Sequence, residues 1–272
     1  MNTDLPLSLQ GGIVFAYVGG LSFLFAGIYL SWKQHRPHAL LLLSLSALSF
    51  SWIEAPYDWA VYAQFPPGLP RMPEWWPLNM TWGGLPAQVP IGYISYFVFP
   101  ALVGAALGRR IVRKTGWRQP QTLLAVGFAV GFTWAFCFNA LFGARLGNFY
   151  YGYVIPGLAI FEGTQYQYPI YDSIAMGIQM MTFTYLLARR DAQGRNVIEI
   201  WADKVSKTRL QSWIVAIVSA IVIGHALYLS VFAPHLVTKL GGWMNVGPTE
   251  QFYPGVENQP LHGGYDSAHQ RP

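Results

Sequence analysis

Six stretches of about 20 residues, each almost wholly apolar, leave few folds open to this chain. They cover residues 13–32, 39–62, 91–107, 122–142, 170–188 and 210–232. At 1.5 Å per residue, an α-helix of about 20 residues crosses a hydrocarbon layer of roughly 30 Å. Inside that layer each backbone amide must find its partner within the segment, which selects the helix. Only 11% of the residues are charged, against about 25% in a soluble domain, and 53% are hydrophobic. The expected fold is all-α: a polytopic membrane helix bundle of about six spans in residues 1–232, then a polar Gly/Pro-rich tail over 233–272.

The connecting segments set orientation. Loops after the first, third and fifth spans hold thirteen of the 17 Lys and Arg, so they belong on the cytoplasmic side. Both termini are then extracytoplasmic. Residues 1–12 lack Lys and Arg, which predicts a retained first helix rather than a signal peptide. Residues 63–90 form an outer loop rich in Pro, Gly and Trp, whose Trp75, Trp76 and Trp82 either rest on the membrane surface or lid a pocket. Between residues 143 and 167 the apolar core Tyr153–Phe161 is too short to cross and is broken by Pro156-Gly157, so a re-entrant or interfacial segment is expected. In residues 189–209, Val197, Ile198, Trp201 and Val205 approximate one helical face, which predicts a helix on the inner surface.

Composition also excludes function classes. The net charge of +5 comes from basic residues that flank apolar runs rather than forming a stripe, so nucleic acid is not an expected partner. Cys137 is the only cysteine, which excludes an intramolecular disulfide and a cysteine-rich metal site. No two histidines share a helical face at ligand spacing, and no dinucleotide or P-loop fingerprint is present; neither metal nor cofactor is expected.

The polar residues within the spans cluster in depth. Glu54 and Asp58 are four residues apart near the outer end of the second span, on one helical face about 6 Å apart. Pro56 between them denies the Trp52 carbonyl its amide partner, so a kink or helix end is expected there. Counted from Ala39, Glu54 lies about 22 Å up and Asp58 about 28 Å. Asp172 sits just inside the outer end of the fifth span, Asn139 about 26 Å up the fourth and His225 about 22 Å up the sixth. Glu162 lies in the outer segment. The inner half carries almost only apolar side chains, unlike a conduction path.

An outward-opening pocket between spans is the resulting expectation, and ionisable groups within a membrane are functional candidates by default. A carboxyl kept from water holds its proton and donates it, while one in a wetter position stays ionised and accepts. Glu54, the deeper acid, is the expected donor; Asp172 and Asp58 are base or electrostatic partner, with His225 as a further catalytic candidate. Tyr57, Trp59, Tyr96 and Trp134 offer π faces to a cationic intermediate, and Asn139, Glu162 and Tyr171 complete the candidate binding set. Each has a plainer reading. Asp58 fits an aromatic belt at the headgroup layer, and His225 fits a hydrogen-bonding role in helix packing.

Several motifs together resemble the spirocyclase AveC-like family of bacterial membrane proteins. They are Ile53-Glu54-Ala55-Pro56-Tyr57-Asp58-Trp59, Pro73-Glu74-Trp75-Trp76-Pro77, the TQYQYPIYD stretch from Thr164 to Asp172, and Gly241-Gly242-Trp243 with Tyr253-Pro254. The resemblance implies a bacterial inner-membrane enzyme that closes a dihydroxy ketone of polyketide origin into a spiroketal with loss of water. Such an enzyme needs one acid, one base and a wall tolerant of a cation. Its partners are then a lipophilic, oxygenated small molecule and membrane lipid, and a protein partner or oligomer stays open. A non-enzymatic lipophile-binding or carrier subunit fits the same residues. A proton-coupled transporter fits less well, because the inner half is apolar and no broken helices occur in matched halves.

Overall fold

Each apolar run becomes a helix, and most of the breaks fall at Pro, Gly or left-handed residues. The computed structural model describes residues 5–246. Helix α1 (Leu7–Gln34) begins six residues earlier than expected and ends where His35 turns left-handed at φ 54°. Helix α2 (Ala39–Val61) contains the predicted irregularity. Pro56 has no N–H for the Trp52 carbonyl, and the chain tightens to a 3-10 turn over Ser51–Ile53 before continuing from Glu54. Helix α3 (Val89–Thr115) starts with Pro90 in its first turn and stops at Gly116, φ 69°. Helix α4 (Gln119–Arg145) widens to π geometry over its last ten residues.

Among the described residues five helices are long and apolar enough to cross a membrane: α1 to α4 and the last, α7 (Arg209–Leu240). The expected fifth span is α5 (Ile170–Ala188), whose 19 residues make about 28 Å of helix. It is less apolar than those five, since Asp172, Ser173, Gln179 and Thr184 all face inward or toward neighbours. Close approach seats it. Met176 and Met180 carbonyls of α5 lie against Gly131 and Gly127 of α4, where no Cβ intervenes. The aromatic core lies between α2, α3, α5 and α7, around Phe50, Phe97, Phe183 and Tyr228.

At the basic end, α6 (Val197–Val205) is held by an Asn196/Glu199 capping box. Its packed face is Ile198 and Ala202, against Leu42, Leu186, Ala216 and Ala220. Trp201 and Val205, expected with Ile198 on one apolar face, are exposed rather than packed on the bundle. Glu199 lies buried between Arg36 and Arg190, at 3.4 and 3.8 Å. Burial pushes its carboxyl above the usual range, and the two guanidinium groups oppose that.

The other end carries a cap of short strand pairs. Strand β1 (Ala63–Gln64) pairs with β2 (Tyr150–Tyr151), and β4 (Ala159–Ile160) pairs with β5 (Tyr168–Pro169). Strand β3 (Tyr153–Val154) pairs with β6 (Asn245–Val246). The segment expected to be re-entrant or interfacial thus holds no helix beyond Arg145. Tyr- and Val-rich dipeptides broken by turns favour strand pairing over the cap. Arg71 staples the Pro/Trp loop by donating to the carbonyls of Phe65, Pro66 and Gly84 at 2.8–3.2 Å. Of its tryptophans, Trp82 is buried against Tyr62 and Tyr153, whereas Trp75 is exposed. Helix α7 runs past residue 232 to Leu240, and the rest of the expected tail from 247 onward, with Tyr253 and Pro254, lies outside the described residues.

Candidate active site

A cavity of about 170 Å³ opens beneath the strand cap, walled by α1, α2, α3, α4, α5 and α7. The 3-10 turn and Pro56 rotate the end of α2 so that Glu54, Tyr57 and Asp58 all line it. Helix α5 supplies Asp172 from its first turn, and the π segment of α4 supplies Asn139. π turns within α-helices are frequent at functional sites, and here one turns an amide toward a carboxyl.

The two carboxyl groups are held differently. Glu54 Oε2 accepts from the hydroxyl of Tyr228 at 2.6 Å and from that of Tyr93, and those two hydroxyls also meet each other. Both donors converge on one oxygen, leaving Oε1 without a side-chain donor among the described residues. Asp172 is gripped on both oxygens. Tyr57 donates to Oδ1 at 3.0 Å, while Asn139 Nδ2 and the Tyr168 hydroxyl donate to Oδ2 at 2.7 and 2.9 Å. Asn139 also donates to Tyr96 at 2.9 Å. In the cap, burial, and after it the Asp172 charge, push the Tyr151 and Tyr168 phenols upward, so both stay protonated beside that carboxyl. A group met by three donors is an acceptor, which is the behaviour of a carboxylate.

Of the remaining expected residues, Asp58 borders the cavity and the others fall elsewhere. Asp58 is buried and accepts from Thr81 at 2.6 Å, which anchors the Pro/Trp loop to α2. His225 is not brought to the cavity. Its Nε2 accepts from Trp52 Nε1 at 3.1 Å and its Nδ1 lies 3.0 Å from the Ile221 carbonyl, so both ring nitrogens are used in packing. Trp59 already holds a cation: Lys239 Nζ lies 3.7 Å from its ring centre and donates to its carbonyl. Trp134 packs behind Tyr96 at 6.0 Å between ring centres rather than on the cavity wall. Tyr171 packs on His235 and accepts the Ile155 N–H, and Glu162 accepts the Gly157 N–H on the outside of the cap.

Tyr93, Tyr228, Tyr151 and Tyr168 complete the carboxyl cluster without having been among the candidates. One signal was present. Tyr93 and Tyr228 each stand one turn from a residue that was a candidate, Tyr96 and His225, and phenols at one depth are ready donors to a buried acid. Among the described residues no three His, Cys, Asp or Glu side chains converge on a point where a metal ion would sit.

A family model described as spirocyclase AveC-like matches residues 32–259, most of the chain and every cavity residue from α2 onward. No curated protein and no solved structure gives a significant match.

Proposed function

This chain belongs to the spirocyclase AveC-like family, which points to a cyclase-type enzyme, and we propose that it closes a lipophilic dihydroxy ketone into a spiroketal within the membrane. One observation carries the reading. Glu54 and Asp172, from separate helices, line a single apolar cavity, Glu54 accepting on one oxygen only and Asp172 on both.

The chemistry follows from those arrangements. One hydroxyl of the substrate adds to its ketone to give a hemiketal. Glu54 donates the proton on Oε1 to the hemiketal hydroxyl, the C–O bond breaks, and water leaves. The resulting oxocarbenium ion lies against the Asp172 carboxylate and the faces of Tyr57 and Tyr96. The second hydroxyl attacks the cationic carbon, and its proton passes to Asp172. Return of that proton to Glu54 closes the cycle, with one water lost and nothing else consumed. A dry cavity strengthens each electrostatic contact and keeps bulk water from trapping the cation.

The test uses purified protein in lipid nanodiscs with a short symmetrical dihydroxy ketone, following the loss of one water by mass spectrometry. Glu54→Gln keeps an oxygen for Tyr93 and Tyr228, and Asp172→Asn keeps one for its donors, so the fold should survive. Each variant is expected to lose about 100-fold or more of the rate above buffer. Wild-type rates in both variants, or unchanged probe recovered from the wild type, would overturn the enzyme reading in favour of a lipophile-binding subunit.

A further inference from the structure

Gln179 stands out among the cavity residues. It is only 4% exposed, it lines the cavity, and its amide makes no hydrogen bond to any described residue. Its amide is not sealed from open space, and the space that Gln179 lines is the cavity. Leaving a buried amide unpaired costs about 1–3 kcal/mol, a cost that a ligand able to bond it removes. Asp172 and Gln179 are seven residues apart on α5. That places them on one face, two turns or about 10 Å apart along the axis. Between them the same face presents Ala175 and Met176 to the cavity, and Phe97 lies across it.

The cavity therefore has two polar poles joined by an apolar wall. The outer pole is the carboxyl pair. The inner pole is a neutral amide offering both a donor and an acceptor, half-way along α5. A carboxylate or phosphate on the ligand would call for Arg or Lys at that depth, and among the described residues the cavity wall contains neither. We infer that Gln179 forms a second binding pole that takes a neutral oxygen function of the substrate, a hydroxyl or ketone, about 10 Å from the reacting carbon. This deepens the cyclase reading by naming the substrate class: a chain or ring oxygenated at both ends and apolar between them.

The experiment compares two ketodiol probes with the same tail, one ending in a hydroxyl and the other in a methyl group. Retention of each by nanodisc-embedded protein is measured by equilibrium dialysis, and turnover is measured alongside. Wild type should hold the hydroxyl-ended probe about tenfold more tightly. Gln179→Met, similar in length and apolar, should abolish or reverse that preference. Gln179→Asn, which withdraws the amide by one methylene, should weaken it. Equal retention of the two probes by wild type, or an unchanged ratio in Gln179→Met and Gln179→Asn, overturns the assignment. The retention arm reads Gln179 whether or not either probe cyclises, so a failed cyclisation counts against the reaction and not against this pole.

Discussion

Single residues at the two ends of the bundle answer to different physics. In the cavity, what matters is how many donors reach each carboxyl, and spacing along one helix does not reveal that. Glu54 and Asp58 share a face of α2, yet Asp58 is turned to Thr81 and the loop while Glu54 meets tyrosines from two other helices. At the basic end, His38 caps α2 by accepting the Leu40 N–H at Nδ1, which requires a neutral ring. Burial first, then Arg190 and Arg36, lowers its pKa from 6.5 to about 4. The folded value lies below the unfolded one, so the unfolded chain binds the extra proton between them. The stability this contributes is whole above about pH 6.5 and is lost as pH falls toward 4. His38→Asn keeps a capping acceptor without titrating. Its unfolding temperature should therefore fall less than that of wild type over that window, with Glu199 titrating in both proteins and cancelling in the difference. Parallel curves would remove His38 from the acid response.

Among the elements, the contact of α4 with α5 carries the site, because it sets where Asp172 and Gln179 stand relative to Asn139. A Cβ at Gly131 would lie 2.6 Å from the Met176 carbonyl, and one at Gly127 2.6 Å from that of Met180. Backbone cannot yield as a side chain tip does. Gly131→Ala should thus lower the unfolding temperature, even though alanine favours helix by about 1 kcal/mol. Gly11, in α1, meets nothing within 4 Å, and Gly11→Ala should leave stability equal or higher. If both substitutions stabilise alike, the close approach of α4 and α5 is not what holds the site. Helix propensity and apolar period were legible for both helices from their residues. The glycine contact was not, because Gly127 and Gly131 differ from other helical glycines only in what stands opposite them.

For the molecule as a whole, charge segregation carries a prediction about sidedness. The helices alternate in direction, so the ends bearing Arg36, Arg113, Arg190 and Arg209 gather together, opposite the strand cap and cavity. With those basic ends cytoplasmic, a cysteine placed at Thr115 in a Cys137→Ser background should resist an impermeant thiol reagent in intact cells. One placed at Trp75, exposed on the cap loop, should react readily. The reverse pattern would invert the orientation. Sequence by itself determined the class of fold, the apolar helices and the grouping of the basic loops. Hydrocarbon imposes its demand segment by segment, so each run of about 20 residues answers it alone. Tertiary structure alone decided that tyrosines rather than His225 surround the acids, that Trp59 holds Lys239, and that no described residue bonds the Gln179 amide. Those outcomes depend on how each helix is rotated and which neighbours it meets, and the order of residues along one helix carries neither.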